Sequence, residues 1–227
     1  MKTNVKKNVS FIVQLVVLFC LVFGVSVFLL HFVISKDVVN GPSMEPGLMD
    51  GDRLISVRHS SIKRNDIVIV YAPDAASKKY LKENNATAKE VVYTGSGLYL
   101  HNKKIPQKYH ELYVKRVIGL PGDTVASKND QLYVNGKIVP QNYINEQFAN
   151  KEMKAYSYSQ GDKFTYDFSL ETLLSTHRKT VPANSYFVMG DNRYVSHDGR
   201  NVGFIKRGSI QSEVKLRYWP LSKIKTY

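Results

Sequence analysis

The chain has 227 residues, 43% of them hydrophobic, and a formal net charge of +13 at pH 7. That length suits one membrane segment plus one domain of ordinary size, and the 15 tyrosines favour strands over helices. The single cysteine, Cys20, excludes an intramolecular disulfide.

Lys2, Lys6 and Lys7 precede a run from Phe11 to Ile34 that carries no charge and is interrupted only by Gln14, Ser26 and His31 as polar groups. As a helix this run would be roughly 36 Å long, enough to cross a hydrocarbon core with some tilt. A cleaved signal peptide would be shorter and would end at a small-x-small site, which Ser35-Lys-Asp-Val-Val-Asn40 does not offer. The pattern predicts an uncleaved signal anchor at residues 10–34, a cytoplasmic basic tail at 1–9 and an extracytoplasmic β-rich domain at 35–227. Lysines before the run, with Lys36 and Asp37 cancelling behind it, place the N-terminus in the cytoplasm. From Lys36 onward 29 Lys and Arg face 19 Asp and Glu. Such a surface suits membrane lipid or an acidic polymer, and a site outside the membrane argues against nucleic acid.

Gly41-Pro-Ser-Met-Glu-Pro-Gly47 follows within a short tether of the anchor. Pro42 and Pro46 fix φ on either side of Ser43, and Gly41 and Gly47 permit turns. A hydroxyl held this way can be a displayed nucleophile, or the stretch is a turn that happens to contain a serine. The tether spans at most roughly 28 Å, so Ser43 belongs close to the membrane surface.

Gly51 to Arg58 reads as a turn and a strand, and the apolar run Ile67–Ala72 as a buried strand ended by Pro73-Asp74. Asp74 to Glu90 reads as a lysine-rich loop or short helix, and Val91–Thr94 with Leu98–Leu100 as a hairpin about Gly95-Ser-Gly97. Leu112 to Gly119 is a strand closed by Pro121-Gly122-Asp123. Its alternation sets Tyr113, Lys115 and Val117 on one face and Arg116 on the other, with neither face plainly polar. A lysine desolvated there has a lowered pKa, unless it snorkels to water at an edge. Asn135-Gly136 centres a hairpin. Phe164–Phe168 is read as a strand, Glu171–Arg178 as a short helix, and Val181–Met189 as a strand. Gly190 to Gly203 is a loop dense in Gly, Asp, Asn, Arg and Ser that can satisfy its own backbone or hold a catalytic group.

Together these stretches resemble type I signal peptidases in the small single-anchor form of Gram-positive bacteria. Gly41-x-Ser43-Met44-x-Pro46 is similar to the nucleophile box, Tyr113-Val-Lys115-Arg116 through Asp123 to the lysine box, and Gly190-Asp191-Asn192-Arg193 with Ser196, Asp198 and Arg200 to the last box. The resemblance implies a mainly β fold, a coiled β-barrel-type protease domain behind one transmembrane helix. It implies a membrane-bound serine endopeptidase that cuts signal-peptide-bearing precursors without metal or cofactor. Ser43 would be the nucleophile and Lys115 the general base. Ser196 would hydrogen-bond the lysine, Asp198 and Arg200 would form a supporting ion pair, and Asp191, Met44 and Arg116 would stand close by, Arg116 mattering less than Lys115. Two positions depart from the family pattern: Gly47 stands where threonine is usual and Gly199 where serine is usual. Both lose a hydroxyl and neither removes the dyad. The segment 73–110 is longer than in the smallest relatives.

Three other readings compete. One is a Ser-His-Asp hydrolase through His197 or another of the six histidines, and for His197 its adjacency to Asp198 favours a loop ion pair over a triad. A catalytically impaired relative acting as a membrane assembly factor should lack Ser43 or Lys115. A tethered polyanion binder would lose binding with salt and ignore Ser43→Ala.

Overall fold

The computed structural model describes residues 2–94, 97–155 and 163–227. Helix α1 (Lys2–Phe28) continues through a wider π-helical stretch at Leu29–Val33 directly into strand β1 (Ile34–Val38). The apolar span is Phe11–Val33, with mean hydropathy 2.8 and no residue buried against the rest of the chain. A helix that is apolar all round and uncovered by protein suits lipid. Ile34, expected as the last anchor residue, instead pairs with Val57, so the supposed tether is itself a strand and the domain begins where the helix ends.

The strands that follow are β2 (Arg53–Val57), β3 (Ile67–Ala76), β4 (Val91–Thr94), β5 (Gly97–Leu100), β6 (Lys103–Lys104), β7 (His110–Gly119), β8 (Val125–Lys128), β9 (Gln131–Val134), β10 (Lys137–Val139), β11 (Phe168–Ser169), β12 (Ser185–Met189), β13 (Ile205–Lys206), β14 (Ile210–Trp219) and β15 (Lys225–Thr226). Helices α2 (Lys78–Glu83), α3 (Glu146–Ala155) and α4 (Gly199–Val202) are short. The main sheet has eight strands in the order β1-β2-β14-β3-β7-β12-β13, with β15 beside β14. The fold is mainly β, and among the described residues no pairing closes this sheet into a barrel. A second sheet, β10-β9-β8-β11, carries its own core around Leu132, Phe168 and Phe187. The small sheet β4-β5-β6 and α2 form a satellite around Leu98, Leu100, Ile105 and Tyr80, which is the structure of the long 73–110 segment.

β3 and β7 lie at the centre of the main sheet, and Ile67–Val70 are all buried, as a continuous apolar run covered on both faces requires. β3 does not stop at Pro73. Its pairing with β14 runs only as far as Val70, so Pro73 lies where one edge of the strand is already unpaired and a missing N–H costs no ladder bond. Asn135 and Gly136 take φ of 53° and 73°, the left-handed pair that a two-residue hairpin needs. The β4–β5 hairpin forms as expected, with Gly95 and Ser96 outside the described residues.

Two expectations in the C-terminal half need correction. Glu171–Arg178 is a series of turns, not a helix. Ser169 and Thr172 bond each other's backbone N–H groups through their hydroxyls, a local arrangement that competes with helical bonding. Of Phe164–Phe168 only Phe168 joins a strand, opposite Ser127, while Phe164 and Thr165 turn inward and are buried. Helix α3 was not anticipated at all.

Candidate active site

Ser43 is displayed because its neighbours are anchored. Met44 and Leu48 are fully buried in the core formed with Val39, Leu54, Ile67, Ile69 and Val214. Truncating either to alanine would cost about 2–5 kcal/mol. The loop is pinned further by Leu48 N–H to Met44 O at 2.9 Å, Gly41 N–H to Asp50 Oδ1 at 2.7 Å, and Arg217 Nη1 to Gly47 O at 3.0 Å. Ser43 itself stays half-buried, facing β7.

β7 delivers the lysine as its alternation requires. Lys115 Nζ donates to Ser43 Oγ at 3.0 Å and to Val114 O at 3.1 Å, and lies 5.2 Å from the centre of the Tyr113 ring. Only 4% of Lys115 is exposed. Burial pushes its ammonium down to about 8; Asp198 and Asp191 pull the other way, and Arg200 adds to the depression. No carboxylate bonds to Nζ directly, so desolvation wins.

The last loop forms the wall behind the pair. Asp198 accepts from Arg200 Nε and Nη2, each at 2.9 Å, and from Gly190 N–H at 2.9 Å, giving the expected ion pair. Burial works to raise the Asp198 carboxyl, but Arg200 and the N–H groups outweigh it and hold it below its ordinary range. Asp191 receives Arg116 through both oxygens, Nε at 2.8 Å and Nη2 at 2.7 Å. Arg116 does point away from Lys115, as the strand period demands, but it is no bystander: it is buried, also reaches Asn65 O at 2.7 Å, and ties β7 to the loop. Lysine cannot reproduce that fork.

Ser196 differs from expectation. Nζ of Lys115 is directed at Ser43 and the Val114 carbonyl, and Ser196 Oγ is buried without a hydrogen-bond partner among the described residues. His197 does not join a triad either. It pairs with Asp74, which raises its pKa, and stands edge-on to Tyr113 at 6.3 Å.

Ser43 and Lys115 open onto a groove of about 260 Å³ lined by Lys36–Asn40 on one side and Leu112–Lys115 on the other. β1 is the outer strand of the main sheet, and β12 pairs only with the Arg116–Gly119 end of β7. Both walls therefore present backbone N–H and C=O groups that no neighbouring strand takes up in the described residues, a template for an extended peptide.

A family model described as "Signal peptidase, peptidase S26" matches residues 11–219. The chain belongs to this signal peptidase family. It is a serine-type endopeptidase that removes signal peptides from precursor proteins, and its one N-terminal apolar helix is compatible with membrane anchoring. Among curated relatives, "Signal peptidase IB" of Staphylococcus aureus is 31% identical over 97% of this chain and 94% of its own. "Signal peptidase I" of Bacillus caldolyticus is 38% identical over 85% of this chain and 83% of its own. A crystal structure of a signal peptidase I from Enterococcus faecalis is 29% identical, covers 68% of this chain and 97% of its own, and has a TM-score of 0.44.

The structure explains both departures of this signal peptidase from the usual pattern. A Cβ on Gly47 would stand 2.9 Å from Asp191 Oδ2, and that carboxylate is locked by Arg116. A Cβ on Gly199 would stand 2.7 Å from Val188 O and 2.9 Å from the Phe187 ring. Gly47→Thr, which would restore the residue usual at this position, is therefore expected to overpack a rigid ion pair at a cost of about 1–3 kcal/mol, lowering Tm by roughly 3–10 °C. A thermal melt checks this, and a Tm equal to the wild type's would show that the carboxylate yields.

Sequence reasoning missed Tyr143, Thr165, Asn65 and Glu152. Tyr143 lies under Arg116 at 4.0 Å and takes Arg193 Nη2 on its hydroxyl at 3.1 Å, while Thr165 Oγ1 takes Arg193 Nη1 at 3.2 Å. Tyr143, Thr165 and Asn65 sit in loops and Glu152 on the short helix α3, and only the fold brings them to the site.

Proposed function

We propose that Ser43 is the nucleophile and Lys115 the general base of this signal peptidase. The observation that carries the assignment is the 3.0 Å contact between Lys115 Nζ and Ser43 Oγ inside a groove fit for an extended chain. A neutral Nζ takes the proton as Oγ attacks the scissile carbonyl, passes it to the leaving amine, and then activates the water that frees the acyl-enzyme. The Ser43 N–H serves the oxyanion first, since Gly41 carries no side chain for the task. Ser196 orients Nζ when the lysine gives up Ser43, its hydroxyl being buried and without another partner among the described residues.

The precursor lies as an added strand between β1 and β7. In an extended chain the side chains one and three positions before the cut point to the same side, so the two small residues that the family resemblance implies there share one wall. The test is cleavage of one signal-peptide-bearing precursor by wild type, Ser43→Ala and Lys115→Arg. Retained cleavage in either variant removes that residue from its role.

Residues 1–9 form the cytoplasmic tail, 10–33 the anchor in lipid, and 34–227 the domain outside the cell membrane. Three lysines and no acid before the apolar run, against Lys36 and Asp37 cancelling directly behind it, support this orientation. Protease added to intact cells is expected to degrade the domain. A domain protected in intact cells and digested only after lysis would reverse the orientation.

A further inference from the structure

Ser43 is held from behind as well as from Lys115. The Asn192 N–H donates to the Ser43 carbonyl at 3.1 Å. Gly190 packs against the same carbonyl so closely that a Cβ there would come within 2.4 Å of it. The orientation of the Ser43 peptide therefore depends on where Asn192 stands. Asn192 is fully buried, and among the described residues its side chain has one partner: Nδ2 donates to Glu152 Oε2 at 3.0 Å, while Oδ1 has none.

Glu152 is an unusual residue to find there. It is 9% exposed on α3, and no Lys or Arg among the described residues forms an ion pair with it. A buried carboxylate without a cation costs free energy that a neutral residue would not. It also faces a like charge. The Glu45 carboxyl, two residues after Ser43, is raised by burial first and by Glu152 next, against the opposing pull of Lys151. α3 thus stands beside the nucleophile loop, and among the described residues the Glu152 carboxylate is engaged by Asn192.

We propose that Glu152 is a positioning residue for the nucleophile: it fixes the Asn192 side chain, so that the Asn192 N–H holds the Ser43 carbonyl and Ser43 Oγ stays in line with Lys115 Nζ. The inference rests on Ser43 being the nucleophile. Displacements on the order of 1 Å at reacting atoms can cost roughly a hundredfold in rate, so a link two residues removed from Oγ can be read in turnover.

The experiment uses the full-length chain in detergent, with a peptide spanning a signal-peptide cleavage site as substrate. Glu152→Asp keeps the charge but withdraws the acceptor by one methylene. Glu152→Gln keeps the acceptor at full reach, and its amide can also serve the unpartnered Asn192 Oδ1. Glu152→Asp is expected to lower kcat about tenfold with KM within about twofold, and Glu152→Gln to stay within about threefold of wild type in kcat. Lys154→Ala, on the exposed side of the same helix, should leave both constants unchanged. Both Glu152 variants are conservative enough to fold, which circular dichroism verifies. Wild-type kcat in Glu152→Asp, or a Glu152→Gln enzyme as slow as Glu152→Asp, overturns the proposal. Ser43→Ala run alongside separates the two readings: if it still cleaves, the nucleophile assignment fails; if it is dead while Glu152→Asp is fully active, only the positioning role fails.

Discussion

Ser43→Ala is expected to abolish precursor cleavage while leaving the fold intact. The loss in kcat/KM should reach at least about a thousandfold, because among the described residues the hydroxyl that Lys115 Nζ contacts in the groove is that of Ser43. The fold should tolerate the change. Ser43 is half-buried, its neighbours Met44 and Leu48 supply the anchoring, and the lost hydrogen bond contributes about 1 kcal/mol. Circular dichroism and cleavage of one precursor, measured on the same preparation, check both halves. A folded Ser43→Ala enzyme that still cleaves would leave the chemistry without this nucleophile.

The second large effect is at Lys115. Lys115→Arg keeps the charge and is expected to be inactive, since a guanidinium does not release its proton at any useful pH. The wild-type pH–rate profile should follow the lysine. With its pKa pushed down to about 8, kcat/KM should fall about tenfold per unit on the acid side and level off above. A profile flat from pH 6 to 9, or an active Lys115→Arg enzyme, would remove lysine as the base.

The same depression has a cost for stability, and its sign is opposite to that of an ion-paired lysine. Below pH 8 Lys115 is charged in both the folded and unfolded chain, so the whole penalty of burying the ammonium is present. Between about 8 and the ordinary 10.5 the unfolded chain binds the extra proton, and stability rises with pH. The gap corresponds to roughly 3 kcal/mol. Lys115→Met should therefore melt higher than wild type at pH 6, and the difference should shrink as the pH rises past 8. A lower Tm for Lys115→Met at pH 6 would mean that the ammonium is compensated in the fold.

The apolar N-terminal helix, the Asn135-Gly136 hairpin, the central strands and the placement of Lys115 opposite Arg116 follow from the sequence alone. Each rests on a local rule: an uncharged run of membrane length, a dipeptide that tolerates positive φ, and a side-chain period of two. The reading of Ser43 with Lys115 came from resemblance, because 72 residues separate them and no local pattern brings a turn and a strand together. Tertiary structure alone decided the rest. It gave the short stretch after the anchor, whose Lys36–Gly41 part is a candidate sheet edge on sequence grounds, its partner β2, because that pairing is a long-range event. It showed Ser196 unengaged and His197 drawn to Asp74, since a hydroxyl and an imidazole take whichever partner the packed loops bring within reach. It made Gly47 a requirement through the Asp191 carboxylate, and brought Glu152 behind the nucleophile through Asn192. Those contacts join residues from separate loops, and their free energy depends on desolvation and on angstrom-scale approach, neither of which is written in spacing along the chain.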